Sequence, residues 1–367
     1  MKQRRTFILS RLAMLAPIPL VVAFVNYTTD PASLYGGSYE ERIASVLLAG
    51  DTIQFVYDYD EGRVQKHYVE GLPARREVAV MGSSRARQIH RGMTGDRSFV
   101  NNAVSGANLE HYLAIYGLYR RRGLLPGTLV LGLDPWIFNE TVADCPASIR
   151  SSYYQILALL GPEVYHNVLR EYKASIRIYV ELFSPSYFQE SIRARLDGSA
   201  ARRPAGALRV APAASQEAGA IRSDLSRILS DAQRRRSPTE VRQMVRNRIA
   251  ESGAFMLQGY HALDPQRVSL FEGFLALVQE EGVQVVLLLP PFHPAYYDYL
   301  TTLKSNVSTV TVRDVEAYLK VLAQAKGLRL VGSYDPLALG LTASDFIDGL
   351  HPRTETLAKL FRDAGKR

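Results

Sequence analysis

Val78-Ala-Val-Met-Gly82-Ser83-Ser84-Arg85 is a four-residue apolar run closed by a glycine, two serines and an arginine. An apolar run this short, ended by a turn signal, reads as a buried strand. The same unit recurs outward from it. Phe99 to Val104 gives a weaker second strand, followed by helical spacing from Leu109 to Arg122. Thr128 to Asp134 is a third strand, stopped by Pro135. Val283 to Leu289 is the strongest, stopped by Pro290 and Pro291. Helical spacing returns from Val312 to Lys326, and Leu328 to Val331 makes a fifth strand. Strands that alternate with helices predict an α/β fold whose parallel sheet is covered on both faces. Such sheets hold their ligand site at the carboxyl ends of the strands.

The alternation breaks between residues 145 and 255, which leaves two core halves, 77–144 and 256–367. Residues 26–76, rich in Tyr and Asp, read as a linker with a short helical lead-in. Inside the interruption, Ser151 to Phe188 is aromatic and helix-like. Arg193 to Arg236 is rich in Ala, Arg, Ser and Pro with few large apolar residues, a composition that predicts partial disorder or loose helix. No internal repeat of fixed period is present. A chain of 367 residues with 47% hydrophobic content buries a substantial core, in one or two domains.

The formal charge of +8 is concentrated. Residues 193–248 hold thirteen arginines against five acids, an excess equal to the whole net charge. Lys2, Arg4, Arg5 and Arg11 form a second cluster, so the remainder is net acidic. No basic motif interleaved with aromatics occurs in the arginine-rich stretch, and nucleic acid is not an expected partner. That stretch is either a patch for anionic headgroups or an acidic polymer, or a solvated excursion. One cysteine, Cys145, excludes an intramolecular disulfide and any multi-cysteine metal site. No histidine is spaced with acids as a metal site requires, so neither metal nor cofactor is expected.

The first 25 residues place the basic cluster ahead of an apolar run. Phe7 to Val25 is nineteen residues, and at ~1.5 Å per residue it reaches about 28 Å, enough for a hydrocarbon core. The basic head predicts an internal N-terminus and an exported remainder. No small-residue cleavage pattern follows Val25, which favours a retained transmembrane anchor over a cleaved signal. A buried core helix is the third reading.

Three segments carry the chemistry. Ser84 sits at a strand-to-helix turn, where its hydroxyl is exposed and the first N–H groups face developing negative charge. Asn102-Ala-Val-Ser105-Gly106-Ala-Asn108 follows the second strand, and its glycine permits close backbone approach, so that the Gly106 N–H can serve as an oxyanion donor. Asp348-Gly-Leu-His351-Pro352 places a carboxylate three residues before an imidazole, close enough to orient it as the base that deprotonates a serine. Each piece alone reads as an ordinary turn. Their order along the chain gives them weight.

That ordered set resembles the SGNH hydrolase superfamily, also called GDSL-like esterases, over residues ~75–135 and ~280–360. The resemblance implies a flavodoxin-like three-layer parallel sheet with a helical insertion. It also implies a triad of Ser84, His351 and Asp348, with the Ser84 and Gly106 N–H groups as oxyanion hole. Ser83 stands where the family has Asp. Asp134 stands where the third block, normally Gly-x-Asn-Asp, has its oxyanion asparagine, and an ionised carboxylate cannot donate a hydrogen bond. Asn102 and Asn108 are candidate replacements for that donor. Arg85 reads as a binder of an anionic substrate group, as an offset to Asp134, or as a solvated helix residue. His293 lies at the end of the strongest strand, either against substrate or as a plain loop residue. Trp136 and Phe138 line a pocket or pack the core.

The Gly82-Ser-Ser-Arg85 variant with an anchor is similar to a membrane-attached subset that modifies cell-surface polymers, typified by the teichoic-acid D-alanylation and alginate-type O-acetylation proteins. The resemblance then implies an esterase or O-acyltransferase outside the cytoplasmic membrane, acting on an acylated carbohydrate or polymer, with a membrane-bound O-acyltransferase as partner. A non-catalytic scaffold for such a partner is the alternative. A nucleotide-binding sheet is disfavoured, since no phosphate-cradling glycines follow Gly82.

Overall fold

The computed structural model describes residues 17–30, 38–54, 59–95, 97–142, 144–161, 180–196, 208–212, 217–251, 256–302 and 310–364. At its centre five strands run parallel: β2 (Val78–Gly82), β3 (Phe99–Asn101), β4 (Thr128–Gly132), β6 (Gln284–Leu289) and β7 (Arg329–Gly332). Their order, β3-β2-β4-β6-β7, is that of flavodoxin-like doubly wound sheets. The chain steps from β2 to β3 on one side and then returns to β4 on the other. In sheets of this order a ligand crevice is expected outside the carboxyl ends of the strands that flank the switch, here β2, β3 and β4.

Side chains alternate across the sheet as a period of two requires. Ala79, Met81, Leu129, Leu131, Leu287 and Leu289 enter the larger core. On that side pack α4 (Leu109–Arg122), α8 (Pro265–Glu280) and α10 (Val312–Ala325). Val78, Val80, Val130 and Leu288 face the opposite way, against α11 (Thr354–Ala364) and the turns that follow β2. The α4 and α10 helices start where their caps dictate. Asn108 and His111 form a capping box for α4, as do Thr311 and Asp314 for α10. Asp264 opens α8 as a simple N-cap, accepting from the Arg267 N–H at 2.8 Å, with Pro265 as the first helical residue.

Of residues 26–76, expected to be a linker and lead-in, 38–54 and 59–72 contribute instead to the main core. Helices α2 (Ser38–Leu48) and α3 (Glu61–Glu70) bury Ile43, Leu47, Val64 and Tyr68 there. Between them β1 (Thr52–Gln54) pairs antiparallel with β5 (Arg209–Ala211) from the insertion. The arginine-rich segment also differs from expectation over its described part. Ile221 bridges Ile53, Asp224 O accepts from Asn101 N at 2.7 Å, and Arg87 O accepts from Arg227 N at 2.8 Å. Residues 217–236 are thus fixed along the open edge of β3, and α7 (Pro238–Ala250) follows them.

Helix α1 (Pro17–Thr29) covers the second half of the N-terminal apolar run, whereas residues 7–16 lie outside the described residues. Among the described residues no helix is long and apolar enough to cross a membrane. Ile18, Leu20, Val21 and Phe24 of α1 are exposed. Asn26 is buried against α6 (Pro185–Leu196) and donates to the Leu182 carbonyl at 2.9 Å.

Two glycines set the height of the turn after β2. Gly82 and Gly132 are register partners in adjacent strands. A Cβ on Gly82 would lie 2.9 Å from the Ala86 Cβ and 3.1 Å from the Gly132 carbonyl. Gly82→Ala is expected to cost about 1–3 kcal/mol by overpacking, read as a lower urea midpoint. Ala86→Gly in the same chain should recover part of the loss.

Candidate active site

Ser84 begins a 3-10 turn, Ser84–Ala86, directly after β2. Ser83 caps that turn, its Oγ accepting from the Arg85 N–H at 3.2 Å. The cap leaves Ser83 buried while the Ser84 side chain emerges at the sheet edge, half-buried. A β-strand that ends in a capped tight turn therefore presents one hydroxyl and its own N–H at the crevice.

The Asp348–Pro352 segment comes to meet it. Ser84 Oγ lies 2.9 Å from His351 Nε2, across 267 positions of sequence. His351 Nδ1 is 3.0 Å from both Asp348 oxygens. With Nδ1–H donating to the carboxylate, Nε2 is left as the acceptor of the serine proton. The loop is folded so that Asp348 Oδ1 also accepts from the N–H groups of Leu350 at 2.8 Å and His351 at 2.9 Å. Ile347 N donates to His351 O at 3.0 Å and closes the loop. Burial alone would raise the Asp348 carboxyl. The His351 hydrogen bond and charge, with those two N–H groups, outweigh it and bring it down to about 2.

Arg85 turns inward from the same turn and is 1% exposed. Its Nη1 donates to Asp134 Oδ1 at 2.7 Å, Nε to Leu350 O at 3.0 Å, and Nη2 to Pro290 O. The guanidinium carbon stacks 3.6 Å from the centroid of the Phe292 ring. Of the roles expected for Arg85, the offset to Asp134 is the one that fits, because no substrate anion reaches a side chain so deeply buried. Burial holds the Asp134 carboxyl above its ordinary value, and the Arg85 charge and Ser83 hydroxyl oppose that rise. Asp134 is thus an internal counter-charge rather than a group facing an oxyanion.

The other expected contributors divide. Gly106 sits in the turn between β3 and α4 with φ +57, a left-handed conformation that favours glycine. Among the described residues, neither Ser84 nor Gly106 has its backbone N–H committed to another protein group. Asn102 does not face the crevice. It is fully buried, donating to Gln65 and accepting from the Tyr119 hydroxyl at 2.7 Å. Asn108 is spent on capping α4 and on the carbonyls of Val142 and Asp144, both at 2.8 Å. Neither asparagine replaces the missing donor. Trp136 and Phe138 are core residues, Trp136 donating to Ala107 O at 2.9 Å and Phe138 packing edge-on to Phe271 and Tyr318.

His293 lies at the strand end, as its position implies, but is 2% exposed and packs edge-on against Phe346. Among the described residues neither ring nitrogen has a hydrogen-bond partner, and burial pushes the imidazole down in pKa against the pull of Asp348. It forms wall rather than contact surface.

Two residues beside the loop carried no signal in the sequence. Arg236 donates to Ile347 O at 2.9 Å and stands 3.9 Å from Asp348 Oδ2. Arg353 holds Ser344 O, Arg234 O and Arg236 O at 2.8–3.0 Å. A polar pocket of about 510 Å³ opens nearby, lined by Glu61, Arg87, Ser105, His111 and Arg227 among others. It adjoins the site through Arg87, whose N–H donates to Ser84 O at 3.4 Å, and through Ser105, the neighbour of Gly106. Among the described residues no cluster of three or more His, Cys, Asp or Glu is placed to hold a metal ion. Family models, curated proteins and solved structures contain no match to this chain.

Arg85→Met strands the Asp134 carboxylate, and loss of one partner of a buried pair costs about 3–5 kcal/mol. In urea unfolding the double variant Arg85→Met/Asp134→Leu should lose less than Arg85→Met alone, since no orphan charge remains. Asp348, with its folded pKa depressed to about 2, has a separate signature. Its ionisation contributes about 2 kcal/mol that is fully present above its unfolded value near 4 and is lost as pH falls through the folded value. Acid titration of stability should therefore be shallower between those limits in Asp348→Asn than in the wild-type protein.

Proposed function

We propose that this protein is an SGNH-type serine esterase or O-acyltransferase, held on the outer face of the cytoplasmic membrane by its N-terminal apolar segment. The observation that carries the reading is the continuous chain Ser84 Oγ, His351 Nε2, His351 Nδ1, Asp348, with contacts of 2.9 Å and 3.0 Å. Supporting it are the parallel sheet order and the placement of the serine at the end of β2.

In this mechanism Ser84 Oγ attacks the acyl carbonyl of an ester while His351 Nε2 takes the hydroxyl proton. Asp348 fixes the imidazole and balances the imidazolium that forms. The carbonyl oxygen, now carrying the negative charge, is met by the N–H groups of Ser84 and Gly106. Collapse expels the alcohol, which takes the proton from His351 and leaves an acyl-serine. Water or an acceptor hydroxyl then attacks that acyl group, losing its proton to His351; the acyl–Oγ bond breaks, His351 returns the proton to Ser84 Oγ, and the free acid or new ester leaves. The acylated carbohydrate or polymer, and a membrane-bound O-acyltransferase as partner, follow from the resemblance to the polymer-modifying subset.

Asp134 favours a second reading, a non-catalytic scaffold for such an acyltransferase. The asparagine donor that the resemblance calls for at this position is absent, since Asp134 is buried against Arg85, and neither Asn102 nor Asn108 supplies it. A fluorophosphonate probe separates the two. Labelling of the wild-type protein that vanishes in Ser84→Ala supports the enzyme, with hydrolysis of a short-chain chromogenic ester falling about 10³-fold or more. Folded wild-type protein that takes no label supports the scaffold.

A further inference from the structure

Resting on the reading of Ser84, His351 and Asp348 as a triad, we propose that Arg236 is a positioning residue of that triad, supplied by the insertion. Arg236 belongs to a run of three arginines, Arg234 to Arg236, inside the stretch whose composition reads either as a patch for anionic groups or as a solvated excursion. The three separate in the fold. The Arg235 side chain is 83% exposed, whereas that of Arg236 is 24% exposed and turned toward the catalytic loop.

Its contacts fall where the loop needs support. Asp348 Oδ1 is already served by two backbone N–H groups as well as His351 Nδ1. Among the described residues, Asp348 Oδ2 has only Nδ1 and the Arg236 guanidinium, which stands 3.9 Å away. The same guanidinium holds Ile347 O at 2.9 Å, one residue before the carboxylate. Arg236 therefore fixes the start of the loop and places a positive charge at the less satisfied carboxylate oxygen. That charge disfavours any rotation that would carry Oδ2 away from the imidazole.

A reciprocal contact fixes Arg236 in turn. Arg353, two residues after His351, donates to Arg234 O at 3.0 Å and to Arg236 O at 2.9 Å. The insertion grips the loop through Arg236, and the loop grips the insertion through Arg353. Ser237 then caps α7 in a capping box with Glu240, so the backbone just beyond Arg236 is fixed as well. By this geometry the insertion is part of the catalytic loop's support, and the site is complete only when residues 234–237 are docked.

The test uses the full chain and four variants. Arg236→Gln should lower kcat for a chromogenic ester about tenfold to a hundredfold, the rate equivalent of one charge-assisted hydrogen bond, with KM unchanged. Arg236→Lys should recover part of kcat, because the charge returns without the planar fork. Added guanidinium ion should restore part of the kcat of Arg236→Gly, and Arg235→Gln should match the wild type. Two results overturn the proposal: a wild-type kcat in Arg236→Gln, or a loss that tracks a lowered unfolding midpoint and resists guanidinium rescue. Failure of the triad reading looks different, because the wild-type protein itself then takes no fluorophosphonate label.

Discussion

One buried guanidinium holds the carboxyl edge of the sheet together. Arg85 leaves the turn after β2 and reaches Asp134 beyond β4, Pro290 beyond β6 and Leu350 in the Asp348–Pro352 loop. Only a planar group with several donors in fixed directions serves three such partners at once, and lysine would not replace it. Burial of a charge is tolerated because Asp134 neutralises it and Phe292 covers it. Leu350 is the residue before His351, so this tie sets where the imidazole lies relative to Ser84. The charged pair and the serine–histidine contact belong to one rigid unit.

Much of this sheet could be read directly. β2, β4 and β6 are apolar runs ended by glycine or proline, and α4 and α10 fall between strands with caps at their starts. What escaped depends on partners distant in sequence. β1 and β5 are three residues each and exist because Thr52 meets Ala211 and Ile53 meets Val210. Neither segment carries an apolar run of its own. The arginine-rich stretch misled because its composition is polar, whereas its order between 217 and 236 comes from backbone bonds to Ile53, Arg87 and Asn101. Backbone bonding of this kind leaves no trace in side-chain composition.

The candidate site shows the same division. Ser84, Asp348 and His351 were legible because the first ends a strand and the other two are three residues apart. Position alone makes Asn102 a candidate oxyanion donor, and strand geometry explains why its side chain lies elsewhere. Asn101 and Asn102 are adjacent and point to opposite faces. Asn101 binds Ala86 O and Ile89 O beneath the serine turn, while Asn102 goes to Gln65 and Tyr119. Arg236 was hidden for another reason: three consecutive arginines look equivalent until the fold gives one of them a carbonyl and a carboxylate.

Ser84 and His351 are separated by 267 positions, and this distance bears on how the protein is made. A chain crossing or leaving a narrow channel from its N-terminal side displays the serine long before the imidazole emerges. Strand β2 can pair with β3 and β4 during that interval, since all three precede residue 133. The hydroxyl then waits without a base, next to a guanidinium whose last tether, Leu350, has not arrived. The Ser84–His351 contact is withheld until residue 351 has emerged, and fragments released before it carry the hydroxyl without the imidazole.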